Sequence, residues 1–254
     1  MLLTKHQEAL IKSLYTRHGR KKSNLALCEG KRSVADLLQF RPELIKFMVV
    51  AETAQQQLPD NAVDPIVVSD RKFSELAATV ASQGILAVAE RPAPPNADTK
   101  PTDPFILVLD RLTDPGNFGS ILRTARAIGL TEVWYTAGSV DPFNDKVIRA
   151  AMASQFVVRM RSFADLDAVS DELNRFGYRK IFRTDPHQGE SCFRAKQLFT
   201  QSAIIIGNEA DGAALLAGST DITIPMPGSA ESLNAAQATT VILFEYIRRI
   251  QAAV

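Results

Sequence analysis

The chain has 254 residues, of which 46% are hydrophobic and 22% charged, with a net charge of +1. That is the composition of one large or two modest globular domains, and it excludes a largely disordered chain. No run approaches the roughly 18 uncharged apolar residues that a membrane span needs. The N-terminal Met1-Leu2-Leu3-Thr4-Lys5-His6-Gln7-Glu8 also lacks a secretory apolar core, so a soluble cytoplasmic protein without membrane contact is expected. Cys28 and Cys192 have no neighbours at ligand spacing, which argues against a disulfide scaffold and against a metal site; both read as buried small apolar residues.

The near-zero net charge conceals an asymmetry. Lys12, Arg17, Arg20, Lys21, Lys22, Lys31 and Arg32 fall between residues 12 and 32, opposed by Glu29 alone. Such a cluster beside Tyr15 and His18 suits phosphate contacts, because neutralising phosphates releases counterions; it suits a solvated helix face equally well. The apolar runs at 25–28, 47–50, 66–68 and 85–88 then alternate with helical patterns such as 34–38 and 73–77, predicting a small α/β domain over residues 1–90. Residues 91–104 hold five prolines and no apolar residue larger than proline or alanine, and read as an extended, fairly stiff linker.

From Phe105 onward the pattern changes. Phe105-Ile106-Leu107-Val108-Leu109 reads as a buried strand, and Ile121, Leu122, Ala125 and Ile128 recur at helical spacing. Further strands are expected at 133–135, 180–184, 203–206 and 221–224, with helices at 146–153, 163–176 and 233–250 between and after them. The alternation predicts a mainly parallel sheet over residues 105–254. In such sheets the loops at the carboxyl ends of the strands share one face, so three polar loops there could build one site.

The first loop follows Asp110 and contains Asp114-Pro115-Gly116-Asn117, with Asn117 placed to cap a helix and Arg123 six residues on, toward its edge or outward. In the second, Gly207 and Gly212 bracket Asn208, Glu209 and Asp211; it reads either as a turn or as a place where backbone approaches a ligand closely. The third runs from Ile224 to Asn234 into a helix that opens with small residues. Neither a GxGxxG dinucleotide fingerprint nor a GxxxxGK[ST] phosphate loop is present.

Asp114-Pro115-Gly116-Asn117-x-Gly119-x-x-x-Arg123, Gly207-x-Glu209-x-x-Gly212 and Ile224-Pro225-Met226-x-Gly228-x-x-Glu231-Ser232-Leu233-Asn234 stand in the order of the three motifs of the SpoU/TrmH family of RNA 2′-O-ribose methyltransferases, in the SPOUT superfamily. The resemblance covers about residues 105–250, and the N-terminal region is similar in layout to the L30e-like substrate-binding domain often attached in that family. It implies an α/β fold with a deep trefoil knot near the C-terminus, an exception to ordinary connectivity that no periodicity would predict.

The resemblance further implies S-adenosyl-L-methionine as cofactor, held by Gly207, Ile224, Met226 and Leu233, with Thr184 at the preceding strand end. Asn117, Arg123, Glu209, Ser232 and Asn234 match the catalytic positions. Arg123 is left with two roles: general base, which is costly for a guanidinium, or binder of phosphate and developing alkoxide. Residues 141–150 resemble the segment between motifs, whose arginine, here Arg149, often contacts RNA or cofactor; Ala151-Met152-Ala153-Ser154-Gln155 departs from the glycine-containing stretch common in relatives, which leaves the role of Arg149 open. The expected partners are therefore RNA, through Arg17, Arg20, Lys21, Lys22, Lys31, Arg32 and Arg149, and a second copy of the chain in a homodimer. Ribosomal RNA is favoured as substrate, because the L30e-like fold is associated with looped RNA whose 2′-hydroxyls are accessible. The alternatives are a transfer RNA methyltransferase, a non-catalytic RNA-binding or ribosome-assembly factor that retains the fold, and an unrelated nucleotide-binding α/β protein, which would lack its usual phosphate loop.

Overall fold

The computed structural model describes residues 2–58, 64–79, 82–208 and 210–252. In chain order the helices are α1 (Lys5–Leu14), α2 (Arg17–Ser23), α3 (Lys31–Phe40), α4 (Asp70–Leu76), α5 (Pro115–Ala127), α6 (Asp145–Ala151), α7 (Leu166–Phe176) and α8 (Ala235–Ala252). The strands are β1 (Leu25–Glu29), β2 (Ile45–Ala51), β3 (Ile66–Val68), β4 (Ile85–Glu90), β5 (Phe105–Leu109), β6 (Glu132–Thr136), β7 (Arg159–Phe163), β8 (Lys180–Thr184), β9 (Glu190–Ser191), β10 (Ser202–Ile206) and β11 (Thr220–Thr223). They form two compact units, Met1–Ala93 with Asp141–Val157, and Pro94–Val140 with Val158–Val254. Among the described residues no helix is long and apolar enough to cross a membrane.

The first unit is built on a four-stranded sheet of order β1-β4-β2-β3, with β4 antiparallel to both neighbours and β3 parallel to β2. Its centre is apolar on both faces: Leu86, Ala87, Val88, Ala89, Met48, Val49 and Val50 are fully buried. Cys28 is buried here, where burial pushes its thiol pKa far up and leaves it a packing residue, as the sequence suggested. Segment 141–157 belongs to this unit for identifiable reasons. Asp141 pairs with the Arg20 guanidinium at 2.8 Å, Arg41 donates to the Phe156 carbonyl at 2.7 Å, and Arg91 lies 4.5 Å over the Phe143 ring.

The second unit carries a seven-stranded sheet of order β7-β6-β5-β10-β8-β11-β9, in which every neighbouring pair is parallel. β5 and β10, the adjacent central strands, are buried at every position, which explains why they read as uninterrupted apolar runs. β7 was not expected, because Arg159-Met160-Arg161-Ser162 looks like solvated chain; Arg161 is 6% exposed, and its Nε donates to the buried Glu132 carboxylate at 2.5 Å. The same guanidinium donates to the carbonyls of Asn96 and Thr99, so the proline-rich stretch is pinned along the unit. Tyr178 adds a hydroxyl bond to the Asp103 carbonyl at 2.8 Å.

Strand order sets up the site. β10 lies between β5 and β8, while β11 lies on the far side of β8, so the chain leaving β10 crosses β8 before it pairs. This is the region in which the family resemblance puts the knot. The later part of α8 is fastened by Glu245, 5% exposed, which accepts from Arg248 Nε at 2.6 Å and Arg249 Nε at 2.8 Å. Arg249 continues to the carbonyls of Cys192 and Ala195.

The Arg248 hydrogen bond, then that of Arg249, outweighs burial and lowers the Glu245 carboxyl from 4.5 to about 2. A carboxylate with a depressed folded-state pKa stabilises the fold fully above its unfolded value and ceases to do so as pH falls through the folded one. Between about pH 4.5 and 2, Glu245→Gln is therefore expected to lose less stability than wild type in acid unfolding followed by circular dichroism. Equal slopes over that window would contradict the assignment.

Candidate active site

The site begins at the end of β5, where Asp110 is 2% exposed and fully engaged. Its Oδ1 accepts from Thr136 Oγ1 at 2.8 Å and its Oδ2 from the Ala214 N–H at 3.0 Å, joining the ends of β5 and β6 to the loop after β10. Asn208 Nδ2 adds a bond to the Arg111 carbonyl at 2.9 Å. The first two polar loops are thus held together by groups that satisfy buried polar atoms.

α5 starts immediately afterwards, and here the expected cap is corrected. Asp114, not Asn117, is the N-cap: its Oδ1 accepts from the Asn117 N–H at 2.7 Å, with Pro115 pre-set for the first turn. The Asn117 side chain, 9% exposed, instead reaches the third loop, its Oδ1 accepting from Asn234 Nδ2 at 2.8 Å. Asn234 in turn caps α8, its Oδ1 accepting from the N–H groups of Ala236 at 2.9 Å and Gln237 at 3.3 Å. The first and third motifs meet in one amide pair.

The second loop makes the closest backbone approach. A Cβ built on Gly207 would fall 1.8 Å from the Ala213 nitrogen, so only glycine fits, and Gly212 has φ +69°. Between this loop, the end of β8 and the third loop lies a cavity of about 590 Å³, inside the usual range for small-ligand sites. Its wall contains Thr184, Gly207, Ile224, Met226, Ser232, Leu233 and Asn234. Thr184 spends its hydroxyl on the Ile205 carbonyl at 3.0 Å.

Arg123 is not part of that wall. It is exposed on α5, as expected if Ile121, Leu122 and Ala125 face the sheet, and it has no hydrogen bond or ion pair among the described residues. Glu209 lies outside the described residues. Two charged wall residues, Arg183 and Asp185, were not anticipated. Arg183 makes a fork on Asp221, with both N–O distances 2.8 Å, and donates to the Ala213 carbonyl at 3.0 Å, bracing the loop from below. Asp185 follows Thr184 at the strand end; burial raises its carboxyl, but the N–H groups of His187 and Gln188 outweigh it and hold the carboxyl below the ordinary value. The charge embedded in Lys180-Ile181-Phe182-Arg183-Thr184 was the signal for the first, and nothing in the sequence marked the second.

In the first unit, Arg17, Lys21, Lys22, Lys31 and Arg32 are exposed. Arg20 departs from the expectation of an RNA contact: it is 2% exposed, its Nη1 donates to the Leu14 carbonyl at 2.8 Å, and Asp141 neutralises it. Arg149 is matched by Asp145 at 2.9 Å, with Glu29 at 4.0 Å.

The cavity suits an adenosine-bearing ligand. Ile224, Met226, Leu233 and Ile242 give apolar walls for a flat ring, while the N–H groups of Met226 and Leu233 donate to no group among the described residues and so remain available to ring nitrogens. A parallel α/β unit with such a cavity at its carboxyl edge and no phosphate loop fits the class that the three motifs resemble, the knotted S-adenosylmethionine-dependent RNA methyltransferases. The chain belongs to the SpoU rRNA methylase family, whose model matches residues 104–244; a second model, the MRM3-like substrate binding domain, matches residues 9–87. It is 33% identical over 242 residues to the 23S rRNA (guanosine(2553)-2′-O)-methyltransferase RlmP of Bacillus subtilis, covering 92% of each chain. A TrmH-family structure from Porphyromonas gingivalis superimposes with a TM-score of 0.83 at 29% identity, covering 98% of this chain and 100% of that one. The SpoU methyltransferase AviRb of Streptomyces viridochromogenes, solved with S-adenosylmethionine bound, matches at TM-score 0.79 and 25% identity, covering 98% of each chain.

Two substitutions separate the roles of Asn234. Asn234→Ala removes the cap and is expected to cost about 1 kcal/mol of stability in urea unfolding. Asn234→Asp keeps the capping oxygen but loses the donor to Asn117, so stability should stay near wild type while methyl transfer falls about a hundredfold. An Asp variant with normal turnover would show that the amide pair orients nothing.

Proposed function

We propose that the cavity holds S-adenosyl-L-methionine and that the protein methylates a ribose 2′-hydroxyl of ribosomal RNA. The observation that carries this reading is the convergence of Thr184, Gly207, Ile224, Met226, Ser232, Leu233 and Asn234 on one cavity whose third loop is hydrogen-bonded to Asn117. The B. subtilis relative is a 23S rRNA 2′-O-methyltransferase, and the N-terminal match is to a substrate-binding domain, which together favour ribosomal over transfer RNA. When bound, the cofactor supplies an electrophilic sulfonium methyl group.

The chain's own residues position and polarise. Asn117 and Asn234 fix the relation of the two loops, Ser232 offers a hydroxyl at the cavity wall, and the apolar walls exclude water. Arg123 is exposed, which suits a clamp on the phosphate beside the target ribose and on the oxygen that gains charge as its proton leaves. Arg17, Lys21, Lys22, Lys31 and Arg32 contact phosphates of the RNA, and Arg20 and Arg149 shape the unit that presents them. The protein acts as a homodimer in which exposed Phe244 and Ile250 of α8 contribute apolar surface for pairing.

Tritiated S-adenosylmethionine incubated with ribosomal RNA and the purified protein is expected to yield alkali-resistant 2′-O-methylated dinucleotides. Arg123→Ala should lower that rate about 10²- to 10³-fold, with Arg123→Lys only partly restoring it. Label on a base would contradict ribose chemistry, and a Lys variant at full rate would contradict a role for the guanidinium fork. Light scattering on the same preparation should read a dimer of the 27.8 kDa chain; a monomer would contradict the pairing.

A further inference from the structure

The proposed cofactor carries three recognisable parts: a flat adenine, a ribose with two neighbouring hydroxyls, and a charged amino-acid tail. Apolar walls and free backbone N–H groups account for the first. The ribose hydroxyls need an acceptor, and neutral diols are commonly held by a carboxylate at the carboxyl edge of a parallel sheet. Thr184 donates its hydroxyl proton to the Ile205 carbonyl, so its oxygen offers only a neutral acceptor, weaker than a carboxylate.

Three described carboxylates reach the cavity wall: Asp185, Asp211 and Glu231. Asp211 and Glu231 are exposed, whereas the Asp185 side chain is 18% exposed and held in place. Its Oδ1 accepts from the N–H groups of His187 at 2.9 Å and Gln188 at 3.1 Å. Among the described residues its Oδ2 has only longer contacts, Gln188 Nε2 at 3.4 Å and Arg183 Nη2 at 3.7 Å. One oxygen fixes the group and the other keeps unused acceptor capacity. The nearby guanidinium also partly compensates the charge, which suits neutral hydroxyls better than the ligand's ammonium group.

We propose that Asp185 is the cofactor's ribose-binding residue, its Oδ2 accepting hydrogen bonds from the ribose hydroxyls. This rests on the reading of the cavity as an S-adenosylmethionine site. Asp185→Asn is a conservative probe, because the amide oxygen still accepts from the His187 and Gln188 N–H groups while the amide nitrogen cannot accept from a hydroxyl.

The test is calorimetric titration of wild type and Asp185→Asn with S-adenosylhomocysteine and with its 2′,3′-dideoxy analogue, with thermal unfolding as a check on the fold. Wild type is expected to prefer the ribose form by about ten- to a hundredfold, and the variant to lose that factor for the ribose form and to bind both ligands alike. A variant with unchanged affinity overturns the assignment, as does one that weakens yet still prefers the ribose form. No binding of S-adenosylhomocysteine to wild type would instead overturn the cofactor reading itself, and this assignment with it.

Discussion

One amide-to-amide hydrogen bond, from Asn234 Nδ2 to Asn117 Oδ1, joins segments 117 residues apart at the point where two helices begin. Each partner is available for a local reason. Asp114 takes over the capping of α5, so the Asn117 side chain is not needed there, and Asn234 caps α8 with its oxygen while its nitrogen reaches across. Below this pair α5 and α8 pack side by side, with the hydroxyls of Thr124 and Thr240 at 3.4 Å. The small residues opening α8 permit that approach. The third loop is consequently not a free strap: its C-terminal end is set by α5, and its N-terminal end by the pairing of β11 with β8.

The crossing of the chain over β8 supplies the second constraint. Backbone passes so near Gly207 that no side chain fits, and Arg183 holds the returning segment through the Ala213 carbonyl and Asp221. Apolar residues such as Ile224, Met226 and Leu233 thus suit a loop proposed to hold a nucleoside: they line the cavity, and the N–H groups of Met226 and Leu233 donate to no group among the described residues.

Much of this was legible in the residues. Strands buried on both faces, such as β5 and β10, announce themselves as apolar runs because nothing on them meets water. What escaped were elements whose character depends on distant partners. β7 carries two arginines and reads as solvent-facing until Glu132 and the carbonyls of residues 96–99 are seen to receive Arg161. Arg20 looks like one more cation in a basic stretch, yet Asp141 and the Leu14 carbonyl bury it; its neighbours Lys21 and Lys22 stay exposed. The grouping of residues 141–157 with the first unit has the same origin, since ion pairs across more than a hundred residues leave no local trace. The strand order that brings three loops to one cavity is equally invisible to periodicity, and there the family resemblance, not the pattern, carried the expectation.

The central claim is that these three loops form one catalytic pocket acting on a ribose in ribosomal RNA. The most direct measurement is a map of ribose methylation across total RNA from cells that carry the protein and from cells that lack it. The account predicts that one or a few 2′-O-methyl marks in ribosomal RNA disappear with the protein and return when it is restored, but do not return with Arg123→Ala. An identical map in both strains, or marks lost only from transfer RNA, would contradict it.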